Sequence, residues 1–283
     1  PETVVSNEDI SKIVDTSDEW ISSRTGISKR CILKEGNTSL MATNVAKKLI
    51  EKSNLKPEDI NLIIVATITP DYLTPSTACI VQGEIGANNA FSFDINAACS
   101  GFVYALATAE KFLKTGIYKN AIVIGAETIS KITDWTDRGT CVLFGDGSGG
   151  VLIQSSQEEQ SFLAEDLKAD GTSWQAITGR KICLKSPFAK EEEENFYLQM
   201  NGRDVFNFAT KTAPKSIEEV IKKANVSLDE IKYIVPHQAN SRIFEVVSKK
   251  LGVELDKFYL NLKNFGNTSS ASIPIALAEM EEK

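Results

Sequence analysis

The chain has 283 residues, 42% hydrophobic and 24% charged, with a mean hydropathy of −0.13. This is room for one large domain or two ordinary ones, with no apolar run long enough to cross a bilayer and no signal-peptide pattern. A net charge of −7 weighs against nucleic acid as a partner of the whole surface, and an acidic partner would need a local basic patch. Five cysteines without C-x-x-C spacing fit a reducing, cytoplasmic setting, and the single histidine, His237, excludes an imidazole-rich metal site.

The chain starts at Pro1 without an initiator methionine, so Pro1 is not expected to be the native amino terminus. Residues 1–38 read as mixed and loop-rich, with helix-start signals at Ser6-Asn-Glu-Asp9 and Thr16-Ser-Asp-Glu19. A helix is predicted over 39–54 from Met41, Val45 and Leu49, then a turn at Pro57 and a buried strand over 60–67. A helix over 76–85, a strand at Phe91–Ile95 and a helix to Lys114 follow, then strands over 120–126 and 141–153. Residues 154–196 turn polar and irregular, ending in the acidic run Glu191–Glu194, read as a solvated loop. A new series begins with a helix over 204–224, a strand Ile231–Pro236, a helix over 240–251, a short strand Phe258–Leu262 and a helix from Ser269. Alternating helix and buried strand argue for an α/β layered architecture.

A shift of 171 residues lays one half of the sequence on the other without a gap. Leu49-Ile-Glu-Lys-Ser-Asn-Leu55 falls on Val220-Ile-Lys-Lys-Ala-Asn-Val226, Asn96 on Asn267, and Ala105-Leu-Ala107 on Ala276-Leu-Ala278. One offset holding across helix, strand and second helix marks an internal duplication. It divides the chain into halves at 1–155 and 156–283. It also expects strands missing at both ends, since the copy of 120–126 would lie beyond Lys283 and that of a candidate strand at Phe162–Leu167 before Pro1.

Cys99 stands where the strand Phe91–Ile95 gives way to a helix. There the free N–H groups and partial positive charge of a helix start lower a thiol's pKa. Small neighbours, Ala97, Ala98, Ser100 and Gly101, leave room for a tight turn and a close substrate. A packed, unreactive thiol is the competing reading. The duplication puts His237 just after the copy of the first half's buried strand and Asn267 at the entrance of the copy of the Cys99 helix, so the three side chains converge. Asn267 reads either as an N-cap or as a donor to an oxyanion. By residue type, Cys-His-Asn serves papain-like hydrolysis or acyl transfer with carbon–carbon bond formation. Trp20, Arg24 and Arg30 read as snorkelled surface packing or as a nucleotide site.

Ala97-Ala-Cys-Ser-Gly-Phe102, Pro236-His-Gln-Ala-Asn240 and Gly266-Asn-Thr-Ser-Ser-Ala-Ser-Ile-Pro274 resemble β-ketoacyl-[acyl carrier protein] synthase III, of the thiolase-like superfamily. Asp15-Thr-Ser-Asp-Glu-Trp-Ile21, Arg24-Thr-Gly-Ile27, Asp137-Arg-Gly-Thr140 and Phe144-Gly-Asp-Gly147 carry the same resemblance, in order from Thr16 to Ala278. It implies two pseudo-symmetric halves in α-β-α-β-α layers. It also implies a decarboxylating condensation of acyl-CoA (acetyl-CoA or somewhat longer) with malonyl-acyl carrier protein, which initiates fatty-acid synthesis without metal or cofactor.

In that family Cys99 carries the acyl group while His237 and Asn267 stabilise the enolate. Trp20 and Arg138 would sandwich the CoA adenine, with Thr16 and Arg24 beside the nucleotide. Met200, Gly202, Phe206 and Asn240 would line the pantetheine tunnel, and Thr74 and Phe144 the acyl pocket. Arg242, Lys249 and Lys250 would receive the carrier protein, and the enzyme would be a homodimer. Three departures stand out: Asn207 replaces a common lysine, and Thr74 replaces a phenylalanine of some members, which implies a roomier pocket. The third is the family's carboxyl-terminal Gly-rich loop, a second oxyanion donor, which the sequence does not contain; a protein ending at Lys283 is expected to be inactive. Chalcone-synthase-like enzymes share Cys-His-Asn but not the run of Trp20, Arg24 and Arg138. Hydroxymethylglutaryl-CoA synthase needs a catalytic glutamate with no clear candidate here. A cysteine hydrolase and a non-catalytic carrier-binding module are the remaining classes.

Overall fold

The apolar run after Pro57 becomes the central strand of a four-stranded sheet in the computed structural model, which describes residues 1–156, 161–190 and 192–283. The elements in chain order are β1 (Thr3–Ser6), α1 (Asn7–Ser11), α2 (Asp18–Thr25), β2 (Lys29–Ile32), α3 (Thr38–Lys52), β3 (Leu62–Ala66), α4 (Thr77–Ile85), β4 (Phe91–Ile95), α5 (Gly101–Lys114), β5 (Asn120–Glu127) and β6 (Gly147–Gln154). Then come β7 (Ile177–Thr178), β8 (Gln199–Met200), α6 (Gly202–Ala224), α7 (Ser241–Leu251), α8 (Leu262–Phe265) and α9 (Ser272–Glu281). The main sheet runs β4-β3-β5-β6, with β3 parallel to β4 and β5, and β6 antiparallel to β5.

Strand β3 is apolar throughout because it is covered on both faces. Ile63 and Val65 point to one side, packing with Ala42, Ala46, Ala78 and Val81 of α3 and α4. Leu62, Ile64 and Ala66 point to the other, packing with Phe102, Ala105 and Ala109 of α5. On β5, Gly125 lies directly under the backbone of Ser270 and Ala271, so the sheet and the second half touch main chain to main chain there.

The 171-residue shift maps structure as well as sequence. The 3-10 turn Pro57–Asp59 falls on Leu228–Glu230, Ala98–Ser100 falls on Ser269–Ala271, and the first residue of α5 on that of α9.

Several expectations change. Residues 1–38 carry two short helices and an antiparallel strand pair, β1 with β2. The helix start near Thr16 is capped by Ser17, whose side chain accepts from the Trp20 N–H. The strand expected over 141–153 begins only at Gly147, because 141–146 is a turn stitched to Cys31 and Asn267. Residues 231–236 and 258–262 are not strands but a single parallel bridge between Ile234 and Phe258, and Leu262 opens α8. Strand β3 has a partner on each side. Residues 231–236 have only the bridge, so among the described residues no ladder propagates there. No strand forms at Phe162–Leu167 either. In the acidic run, Glu191 lies outside the described residues, while Glu192 pairs with Lys181 at 2.7 Å and Glu194 with Lys185.

Candidate active site

Two tight turns meet at the sheet's carboxyl-terminal edge. In the first, Ala98 takes φ +46° and Cys99 follows it, half-buried, before α5 begins. In the second, Ser269 takes φ +50° and Ser270 follows it. Non-glycine residues seldom adopt this left-handed region, and the duplication reproduces it at equivalent positions, so Ser270 is the counterpart of Cys99. The two turns pack on each other.

Asn267 is held from both sides: its N–H donates to the Leu143 carbonyl at 2.9 Å, and its carbonyl accepts from Gly145 N at 3.0 Å. Its side-chain oxygen accepts from the Ser269 N–H at 2.9 Å. A backbone N–H can only donate, so this contact fixes the amide's orientation and leaves the Nδ2 protons to donate elsewhere. This is the polarity an oxyanion donor needs.

His237 follows the Ile234 bridge, and its neighbour Gln238 secures the segment. Gln238, 1% exposed, donates to the Pro236 and Tyr259 carbonyls and accepts from Asn261 and Leu262 N–H. His237 Nδ1 lies 2.7 Å from Ser272 Oγ, and that hydroxyl also reaches the Ser269 carbonyl at 2.9 Å. The other ring nitrogen is thereby left for the thiol. Burial pushes the Cys99 thiol up, but the facing His237 outweighs it and holds the thiol below its ordinary value. Burial likewise pushes His237 down, and the facing Cys99 charge and hydrogen bond bring it above its ordinary value. The two shifts are reciprocal: each group favours the charged form of the other.

A second group of expected residues gathers at α2. The guanidinium carbons of Arg24 and Arg138 lie 4.7 and 4.9 Å from the centroid of the Trp20 ring. Arg138 also donates to the Asp15 carbonyl at 3.0 Å. The Thr16 hydroxyl is buried with no hydrogen-bond partner among the described residues. Asn240 caps α7 through Oδ1 (3.0 Å to Arg242 N), while its Nδ2 donates to the Arg24 carbonyl at 3.2 Å, tying α7 to α2.

Phe144 and Met200 belong to another cluster, with Ile129, Ile132 and Leu198; Phe206 packs on the α7 core, and Gly202 opens α6. Thr74 stands on the exposed loop between β3 and α4. On the surface, Arg242 donates to the Ser23 carbonyl at 3.1 Å and Lys250 to the Thr210 carbonyl at 2.9 Å. Lys249 is exposed on the same face of α7 as Arg242, seven residues away. Ser269, Ser272, Gln238 and Glu127 were not singled out from sequence. The only signal was that three of them sit inside the motifs of His237 and Asn267.

Two models describing 3-oxoacyl-[acyl-carrier-protein] synthase III match the chain, one over residues 93–171 and its carboxyl-terminal counterpart over 221–283. The β-ketoacyl-[acyl-carrier-protein] synthase III of Clostridium acetobutylicum is 54% identical over 284 residues, spanning 100% of this chain and 87% of the relative. That of Streptococcus gordonii is 53% identical, with the same coverage. Among solved structures, 3-oxoacyl-[acyl-carrier-protein] synthase III from Aquifex aeolicus superposes with a TM-score of 0.93 at 44% identity, covering 100% of this chain and 87% of that one. The Thermus thermophilus enzyme gives 0.92 at 39%. With this likeness running through both turns and both halves, the chain belongs to the β-ketoacyl-[acyl-carrier-protein] synthase III family and has its thiolase-like fold.

Proposed function

We propose that Cys99, His237 and Asn267 together perform the family's reaction, the condensation of an acyl-CoA with malonyl-acyl carrier protein that initiates fatty-acid synthesis. The observation that carries the assignment is the pairing of a thiol held acidic by His237 with an Asn267 amide whose oxygen is already spent on Ser269.

The Cys99 thiolate attacks the acyl-CoA carbonyl, the bond to the CoA sulfur breaks, and CoA leaves with the proton held by His237. Malonyl-acyl carrier protein then places its thioester oxygen against His237 and Asn267 Nδ2. Cleavage of the bond to the carboxylate releases carbon dioxide and leaves its electron pair as an enolate, which those donors stabilise. The enolate carbon attacks the acyl-Cys99 carbonyl, and the tetrahedral intermediate collapses with Cys99 as leaving group. The electrons come from the broken carbon–carbon bond, so the chemistry asks for no metal or redox cofactor.

Trp20, Arg24, Arg138 and Thr16 form the nucleotide end of the acyl-CoA site in this reading, and Met200, Gly202, Phe206 and Asn240 the approach to Cys99. Phe144 and, from a second subunit, Thr74 bound the acyl pocket. The homodimer is supported by β4, an edge strand carrying Phe91 and Phe93, and by the exposed Tyr72 and Leu73. Arg242, Lys249 and Lys250 meet the acidic carrier protein. The halves at 1–155 and 156–283 supply the nucleophile and the two donors respectively. Five free thiols suit the reducing cytoplasm.

The test is mass spectrometry of the protein after acetyl-CoA, with carbon dioxide release from malonyl-acyl carrier protein measured alongside. Cys99→Ala should lose the acyl adduct yet still decarboxylate, and His237→Ala should lose decarboxylation. Undiminished condensation by Cys99→Ala would overturn the assignment.

A further inference from the structure

Behind the reaction centre lies a carboxyl group that the mechanism does not use. Glu127, the last residue of β5, is 0% exposed and forms no ion pair among the described residues. The nearby cation, Lys131, points its ammonium at Asn37 Oδ1, the Thr38 hydroxyl and the Pro70 carbonyl, at 2.7, 3.3 and 3.1 Å. Titratable groups that feel its field include Cys99, before α5, and Lys131, in the turn after β5. An unpaired carboxylate in such a place is expensive, and neutralisation is the usual outcome.

The hydrogen bonds locate the proton. Glu127 Oε2 faces the Thr69 hydroxyl at 2.6 Å and the Thr67 hydroxyl at 3.2 Å, with the Ile68 N–H at 3.1 Å. The Thr69 hydroxyl accepts from the Thr128 N–H at 2.9 Å, so its own proton is available to Glu127. On the other oxygen, Oε1 shares the Ile68 N–H at 3.2 Å and lies 2.8 Å from Ser270 Oγ. Ser270 Oγ is also 2.8 Å from the Ala66 carbonyl, which can only accept. One serine proton cannot serve two acceptors. Both contacts are satisfied when Ser270 donates to Ala66 and Glu127 donates to Ser270.

We propose that Glu127 is a neutral acid whose Oε1 proton ties the ends of β3 and β5 to the Ser269–Ala271 turn, making it the positioning residue that holds the second turn against the Cys99 turn. Ser270, the duplication's counterpart of the nucleophile, thus faces inward as an anchor. Ser269 and Ser272, on either side of it, hold the Asn267 amide and the His237 ring. Burial pushes the Glu127 carboxyl up, in keeping with the proton count. Neutrality also has a consequence for the nucleophile, because a negative charge on Glu127 acts to raise the Cys99 thiol. A protonated Glu127 removes that contribution and leaves only burial against His237.

The proposal rests on Cys99 being the nucleophile, so two of its readouts use no substrate. Infrared difference spectra of wild type against Glu127→Gln should show a protonated-carboxyl C=O band in the wild type alone. Alkylation of Cys99 by iodoacetamide, followed by peptide mapping across pH, should give the same midpoint in both, because glutamine is neutral and can donate to Ser270 in place of the acid. Glu127→Gln should also retain condensation within a few fold, whereas Ser270→Ala and Glu127→Ala should each lose roughly tenfold or more in malonyl decarboxylation, through a loosened turn. A midpoint that moves to lower pH in Glu127→Gln would mean an ionised carboxylate in the wild type and would overturn the proposal, as would full decarboxylation in Ser270→Ala. Failure of acetyl-CoA to label Cys99 in the wild type would instead count against the nucleophile assignment.

Discussion

Gly125→Ala tests the contact that holds the two halves of the site together. A Cβ built on Gly125 would lie 2.8 Å from the Ser270 carbonyl carbon and 3.1 Å from Ala271 Cα, with the Ser270 oxygen closer still. All three are main-chain atoms, so no side chain can swing aside. Ordinary contact begins near 3.4 Å, so the turn must retreat by about 0.6 Å or more. Overpacking of this kind costs about 1–3 kcal/mol in stability. The same retreat carries Ser269, Ser272 and the Asn267 amide away from Cys99. A misplacement of about 1 Å costs on the order of a hundredfold in rate, which puts the loss here between about ten- and a hundredfold. Urea denaturation would read the first effect, and carbon dioxide release from malonyl-acyl carrier protein the second. Helix α5 and Cys99 do not move in this account, so alkylation of Cys99 should persist. A variant with wild-type stability and wild-type decarboxylation would refute the reasoning. One that loses alkylation and decarboxylation equally would show that the two turns move as one body.

Trp20→Ala removes the ring carrying both guanidinium groups, and it should raise KM for acyl-CoA about tenfold in steady-state assays while leaving carrier-protein KM unchanged. Charge reversal at Arg242 and Lys249 should raise KM for malonyl-acyl carrier protein severalfold and flatten its salt dependence, without touching acylation by acetyl-CoA. Sedimentation equilibrium should give a dimer that Phe93→Lys weakens, since β4 is the edge through which a second copy would extend the sheet.

The sequence was most legible where burial is two-sided and periodic. Strand β3, helix α3 and helix α5 were found to within a few residues because their apolar spacing follows directly from packing on both faces of one sheet. The second half was less legible because Ile231–Pro236 has a strand's composition without a strand's neighbours, and composition does not report hydrogen-bond partners. Strands β1 and β2 were missed because four-residue strands with half-exposed faces leave almost no periodic signal. At the site, type and motif marked Cys99, His237 and Asn267. The residues that orient them did not stand out, since Ser269, Ser272 and Gln238 act through hydrogen bonds whose partners only the fold brings into reach. Glu127 was invisible for a different reason: it lies more than 100 residues from Ser270 in sequence, and only the fold brings the two together.

In the proposed reaction one histidine serves two steps with opposite demands. Before acylation the Cys99 charge favours a proton on His237, against a burial that disfavours it. Acylation converts the thiolate to an uncharged thioester, and the proton leaves with CoA. Burial then acts alone, and it favours neutral imidazole. A neutral ring donates to the malonyl thioester only through the nitrogen facing Cys99, so Nδ1 must become an acceptor. Ser272 permits the change. When its hydroxyl donates to the Ser269 carbonyl it accepts from Nδ1–H, and when it rotates to donate to Nδ1 the proton belongs on the other nitrogen. The charge that activates the nucleophile is thus consumed by the first step. Its loss prepares the donor for the second, and no other titrating side chain has to enter the cycle.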